Sequence, residues 1–577
     1  MRHARPSPRR SSAPVALLLI SVVLVGTVRA RNVYHVSPGG DDRNDGKTPS
    51  AAWRTVARVN TQAFAPGDQI LFARGGEWRE CLIPTSTGTA ARPITFGAYG
   101  NGPKPKFWGS DVLDKGGFEP EAGGVFKIAV TKTVYAVLSD HRFLRSARLV
   151  TKSDDPTADP VHVRSHPGSW YSRDGFLHVN TGGVDPRTDP RTYTAAVRED
   201  LISANGKDHL TFRDLVVDET ARPDAGYGFR VFGGEGVRME GCEAYRCGKH
   251  HFGVVNSTGF VGVDLYAAHA MPDQGVGGAS AFVSFSDRTR RGDTSHYLRC
   301  TCEHLEDAGT GGRYPAFVTH GEGLGSVSLE GLTSRGGDIA LGNQESGATI
   351  RVKGGRLEDA VLGVHGEKIV VDGMTVVGAH AGATLEGAGN VLQNMLIVGG
   401  NPGFAGHQAA IVEGGRGNTI RFCTVVMDAK SPDFDAAISL KRPDSKLRWY
   451  GNILLTTGTV VRAWFVGFDP KGYDASFNFY SRDARFDTRS EGRGSLYSLD
   501  QWKSLGLDPG SLAGDPKFAA PAKGDYSLLP GSPAVDAAKL DAALVGLVPA
   551  DFRGKPRLQG EAFDMGAYES PRRTLSP

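Results

Sequence analysis

Between His320 and Lys441 the chain alternates short apolar stretches with polar groups at a near-constant interval. Ala316-Phe317-Val318 precedes His320-Gly321-Glu322, Ile339-Ala340-Leu341 precedes Gly342-Asn343-Gln344, and Leu362-Gly363-Val364 precedes His365-Gly366-Glu367. The pattern runs on through Leu385 to Glu386-Gly387, Val412 to Glu413-Gly414 and Leu440 to Lys441-Arg442. A period of 20 to 28 residues is too short for paired-helix repeats, and the Leu/Asn ladder of leucine-rich repeats is missing; one coil of a parallel β-helix fits it. Strands of successive coils lie ~4.8 Å apart, and side chains alternate between interior and surface. With Leu341, Val364, Leu385, Val412 and Leu440 inside, the file His365, Glu386, Glu413 and Lys441 is expected on one outer face.

The rest of the chain reads as strand and turn. No segment sustains a helical period, and the 77 glycines follow no three-residue repeat, so they supply corners between short strands. Residues 1–30 combine Arg2, Arg5, Arg9 and Arg10 with an apolar run from Ala13 to Val28 and end Val28-Arg29-Ala30, which predicts an export signal cleaved after Ala30. Residues 31–109 form a cap and first coils, and 110–200 lose the period and read as an inserted, partly β segment. Coils occupy 201–465, followed by last coils and a C-terminal extension over 466–577. Insertions at 269–280 and 287–295 are expected to wall a groove.

Charge changes the list of partners. The first 30 residues carry five arginines and no acid, so the exported chain has 61 basic against 63 acidic side chains, a net charge of −2 instead of +3. That balance argues against nucleic acid. No membrane contact is expected after signal cleavage, and a monomer is expected. The six cysteines form no zinc-ligand pattern; Cys242, Cys302 and Cys423 read as buried thiols, with a disulfide as the alternative in an exported protein.

Several runs carry a resemblance. Val33-Tyr34-His35-Val36-Ser37-Pro38-Gly39-Gly40-Asp41-Asp42, Pro66-Gly67-Asp68-Gln69-Ile70-Leu71-Phe72, His209-Leu210-Thr211-Phe212-Arg213-Asp214-Leu215 and Gly531-Ser532-Pro533-Ala534 with Asp564-Met565-Gly566-Ala567-Tyr568-Glu569 are similar to segments of secreted proteins of the pectate-lyase-like superfamily. The resemblance implies a right-handed parallel β-helix with an N-terminal cap, acting on a polysaccharide. It leaves the reaction open, since the fold hosts lyases, hydrolases, epimerases and adhesins.

The candidate chemistry lies in the coils. Lys249, His250, His251, Asp287, Arg288, His320, Glu322 and His365 form a mixture of amine, imidazole, guanidinium and carboxylate suited to proton transfer on an acidic sugar. Asn256, His269, Asp273, Asn343, Gln344 and Glu367 are the candidates for holding substrate. Glu386 and Glu413, read as neighbours in the outer file, offer hard oxygen ligands to Ca²⁺. β-Elimination on a uronate needs its carboxylate neutralised, here by Arg288 or a cation, and a base, here Lys249, His251 or His320. Hydrolysis needs two carboxyl groups, for which Glu386 with Glu413 or Glu322 with Glu367 have allowed spacings. The adjacent-Asp signature of polygalacturonase-like glycosidases is missing from the coils. A lyase on an acidic polysaccharide is therefore the leading expectation; a hydrolase, an epimerase and a non-catalytic glycan-binding β-helix are the alternatives. Trp170, Tyr171, Tyr227 and Tyr314 are candidates for stacking on sugar rings or for packing in the core.

Overall fold

The computed structural model describes residues 31–147, 158–220, 226–270, 279–290, 292–303, 314–343, 347–378, 382–402, 408–428, 435–463, 473–489, 494–541 and 543–571. The expected export signal lies outside them. The molecule is a right-handed parallel β-helix whose coils stack into three sheets of 14 strands each. A typical coil runs Leu210–Arg213 in the first sheet, Val216–Asp218 in the second and Tyr227–Phe232 in the third, then returns to the first at Arg238–Glu240.

The corner between first and second sheets is a single residue with positive φ. Asp214 (φ 55°), Gly241 (φ 56°), Asp264 (φ 52°), Arg299 (φ 52°), Gly331 (φ 65°), Asn394 (φ 52°) and Gly451 (φ 67°) hold it in successive parts of the stack. Left-handed backbone costs ordinary side chains a few tenths to about 2 kcal/mol, which explains why Gly, Asp and Asn recur here. The interior repays that strain. Phe229, Phe252, Phe282 and Phe317 stack in file at centroid distances of 4.9, 5.0 and 6.1 Å. Buried amides tie coils together as well: Asn452 accepts from Cys423 N (2.9 Å) and donates to Ile420 O (3.1 Å), and Asn478 repeats the pattern one coil on with Asn452 N (2.9 Å) and Trp449 O (3.2 Å).

Both ends of the core are closed. At the start, Trp53 stacks on Tyr34 (5.0 Å) beside the helix Val56–Asn60. At the far end, Trp502 of the helix Leu499–Ser504 stacks on Phe486 (4.9 Å), and Ser498 and Gln501 cap that helix reciprocally. The C-terminal stretch packs Phe563 and Met565 against Phe422, and buried Arg557 bonds Asn394 Oδ1 (2.5 Å) and Glu569 (3.3 Å). Between Ser110 and Ala196 the chain leaves the coils to build a four-stranded and a five-stranded sheet, largely antiparallel, around Phe118, Ile128, Val137, Trp170 and Leu177.

The register of the third sheet departs from the expected file at one coil. Leu341 pairs with Val364, Val364 with Leu385, Leu385 with Glu413, and Glu413 with Leu440. Glu413 therefore takes the inward place and Val412 the outer one, beside Thr384 and Ser439. Periodicity could not resolve this, because Ala409-Ala410-Ile411-Val412 is apolar at both phases. Glu413 is fully buried and accepts from Gly415 N (2.9 Å) and Asn418 Nδ2 (3.1 Å), and burial pushes its carboxyl up to about 7.

A pH-dependent stability follows. The folded carboxyl holds its proton more tightly than the ordinary value of 4.5, so stability falls as pH rises from 4.5 through about 7 and then levels. Glu413→Gln removes that fall. Its gain over the parent chain is expected to be absent below pH ~4.5 and to reach on the order of 3 kcal/mol above neutrality, read by thermal melts across the range.

Candidate active site

The outer face of the third sheet is open over a limited stretch. Val283, Val412, Ser439 and Arg462 are buried on that face, whereas Val318, Ala340 and Thr384 are half-buried and His320 and Glu386 are exposed. The accessible floor thus spans the strands Phe317–His320, Ile339–Leu341, Val361–Val364 and Gly382–Leu385, about 14 Å across.

One outer column crosses this floor. Phe285 pairs with His320, and the ladder continues through Gly342 N to Thr319 O (3.0 Å), His365 N to Leu341 O (2.8 Å) and Glu386 N to Val364 O (2.7 Å). His320, Gly342, His365 and Glu386 consequently stand side by side, with the two imidazoles two strand spacings apart, about 10 Å between backbones. Gly342 leaves the gap between them open.

His365 is held on two sides. Its Nδ1 lies 3.0 Å from Glu386 Oε2. A carboxylate only accepts, so Nδ1 carries a proton and donates it to Glu386. The Nε2 edge of the ring rests against the floor: a Cβ on Gly363 would collide with His365 Nε2. Glycine inside a strand marks such a close approach, and here it makes room for an imidazole. The side chains of His365 and Glu386 keep 39% and 54% of their exposure, so the pair faces solvent.

The corner between third and first sheets forms one rim. Asn256 (φ 49°) accepts from Asp287 N (2.8 Å), donates to Asp287 Oδ2 (2.9 Å), and receives Arg290 Nη1 on its carbonyl (2.9 Å). Hydrogen bonds from Thr289 and Asn256 hold the Asp287 carboxyl below its usual range. Exposed Arg288 pairs with Glu322 (2.6 Å), and Ser286 Oγ donates to buried Asp293 (2.5 Å). The glycines of His320-Gly321-Glu322-Gly323 are obligatory: a Cβ on Gly321 would strike the Ser286 carbonyl, and one on Gly323 those of Asp287 and Arg290.

The opposite rim holds Lys249, half-buried, whose carbonyl accepts from Tyr314 Oη (2.7 Å). His250 is 4% exposed; its Nδ1 lies 2.9 Å from Ser280 Oγ and 3.3 Å from Ser280 O. Burial, followed by the nearby Lys249 charge and more weakly by His251 and His320, pushes its pKa down to about 3. A ring that stays neutral at any ordinary pH does not act as a base. Tyr227 lies over Gly253, where a Cβ would collide with its ring, and Arg230 stands above it (5.1 Å) while pairing with Asp200 (2.8 Å).

Several expectations are corrected here. His251 points into the coil, fully buried, with Nε2 donating to Ala268 O (3.0 Å) and burial pushing its pKa down to about 4, so it cannot meet a substrate. Asn343 is 2% exposed and spends its amide on Ala348 O (2.5 Å) and Glu367 O (2.8 Å); it is a coil tie, and exposed Glu367 is held by its backbone N–H on Asn343 Oδ1 (2.6 Å). Glu386 and Glu413 face opposite sides of the sheet, so they do not form a Ca²⁺ ligand pair. Among the described residues no three His, Cys, Asp or Glu side chains gather as metal ligands. His269 is exposed at a corner (φ 57°) after the strand Tyr266–Ala268. Asp273 and Gln344 lie outside the described residues. Sequence reasoning missed Arg230, Ser280, Asp293 and the role of Gly363; the glycines at 253 and 363 inside apolar strands were the available signal.

No protein-family model matches the chain. A stretch is 29% identical over 152 residues to a lacto-N-biosidase of Bifidobacterium longum subsp. longum, covering 23% of this chain and 9% of that protein. The chain therefore spans under a tenth of that relative's length. Similar solved structures include XylC with xylose (TM-score 0.42, 12% identity, 84% of this chain and 87% of the other). Others are alginate lyase AlyF-OU02 with G6 (0.41, 8%, 84% and 96%) and pectate lyase Pel9A (0.35, 12%, 94% and 97%).

The floor makes a structural prediction. Gly363→Ala is expected to leave the coils intact and to swing the His365 imidazole off the sheet, breaking the contact with Glu386. A crystal structure of the variant checks it; an unmoved ring would contradict the packing described.

Proposed function

We propose that the chain is an exported enzyme that cleaves an acidic polysaccharide by β-elimination, with the floor between His320 and Glu386 as its active site. The observation that carries this reading is the His365–Glu386 pair, an imidazole oriented by a carboxylate on an open sheet face opposite a second imidazole. Glu386 holds Nδ1–H, so His365 Nε2 is the base that takes the proton beside the uronate carboxylate. The electron pair of that C–H bond forms the new C=C bond, the bond to the leaving oxygen breaks, and the His320 imidazole hands that oxygen a proton. Exposed Arg288 at the rim neutralises the carboxylate as charge builds on it. Export rests on the basic and apolar pattern of residues 1–30.

A hydrolytic reading has its own support: Asp287 and Glu322 stand on the rim beside His320, and the curated relative is named a biosidase. Incubating the exported chain with a panel of uronate and sulfated glycans, with and without Ca²⁺, separates the readings. Ultraviolet absorbance from an unsaturated product is expected. New reducing ends without it indicate hydrolysis, and binding without cleavage indicates a recognition surface. His365→Ala is expected to lower kcat by about 10²- to 10⁴-fold with the thermal midpoint unchanged, whereas His251→Ala lowers stability and keeps kcat. Equal activity of His365→Ala and the parent chain would refute the assignment.

A further inference from the structure

The inserted segment holds a cavity that the groove does not explain. It measures about 510 Å³, within the range of small-ligand sites, and lies where the loop 130–135 passes from the five-stranded to the four-stranded sheet beside the hairpin Ser169–Arg173 and Phe176–Asn180. Lys132, Tyr135, Trp170, Tyr171 and Arg173 are among its lining residues. The walls are fixed: Val130 N bonds Gly175 O (2.8 Å), Trp170 Nε1 bonds Leu144 O (3.2 Å), and Tyr171 stacks on His178 (4.2 Å).

Arg173 is the odd member. Its Nη2 is buried with no hydrogen-bond partner, and no carboxylate among the described residues pairs with it, although Asp174 is adjacent in the chain. A guanidinium costs free energy when buried unpaired, and proteins ordinarily offset that cost with a carboxylate. Here Arg173 is half-buried, lines the cavity and carries its guanidinium 5.9 Å over the Tyr171 ring, while Nη2 is closed off from solvent. Lys132, half-exposed and tied to Asp111 (2.8 Å), adds a second cation at the mouth. A planar guanidinium fork matches a carboxylate or a sulfate, and aromatic rings beside it suit a sugar.

We propose that this cavity binds a short anionic glycan unit, one or two sugars long, through its carboxylate or sulfate on Arg173. The choice of a sugar rests on the reading of the chain as a polysaccharide-acting enzyme; the choice of an anion rests on Arg173 alone. The site lies apart from the groove, so it tethers the polymer without touching the bond that breaks.

The test uses the full chain carrying His365→Ala, titrated with digalacturonate, a sulfated disaccharide lacking a carboxylate, and neutral cellobiose, by calorimetry and Trp170 fluorescence. Saturable binding of either anion, at least tenfold tighter than cellobiose, is expected, and the anion that binds identifies the source. Arg173→Met is expected to weaken that binding at least tenfold, Arg173→Lys to weaken it less, and Trp170→Phe to remove the fluorescence change while binding persists. Equal affinity of Arg173→Met and its parent, or cellobiose binding as tightly as the anions, overturns the proposal. Should Arg173→Met not fold, Arg173→Lys decides by the same comparison. If no polymer is cleaved yet the anion binds through Arg173, the groove reading falls and this one stands.

Discussion

Everything in the molecule depends on coil-to-coil hydrogen bonding in register. Each strand satisfies its backbone only by pairing with the strands of the coils before and after it, so a side chain's neighbours are set by the count of residues per coil. The positive-φ residue at the corner between the first and second sheets keeps that count workable, because it turns the chain sharply there. Side chains at matching positions are then brought within one strand spacing, whatever their separation in sequence.

That constraint builds the candidate active site at little structural cost. His365 and Glu386 are 21 residues apart, yet the register makes them neighbours with a 3.0 Å contact. Glycine at 342 and 363 does the rest, leaving a gap in one column and a seat for the imidazole in the next. The same rule excludes other residues. His251 stands next to His250 in the chain but falls at a corner where its side chain turns inward, and desolvation then holds it neutral against the core.

The repeat itself was legible in the sequence, and so was the outward placement of His365, since Leu362-Gly363-Val364 has a clear inside and outside. The coil containing Glu413 was not. Four apolar residues in a row precede it, both phases look alike, and only the pairing of Leu385 with Glu413 decides which way the carboxyl points. A carboxylate chosen as a surface metal ligand is thus an interior group raised to about 7. Arg173 was illegible for a related reason: its segment keeps no coil period, and a missing partner cannot be seen in a sequence.

By itself the sequence determined the coil length and the apolar lining, because each follows from burial at a fixed period. Which polar groups meet was decided only in three dimensions. Loop lengths between strands vary by several residues, and one residue of slip moves a side chain through the sheet from solvent to core. The burial of Glu413, expected beside Glu386 on the outer face, is the outcome of that single step.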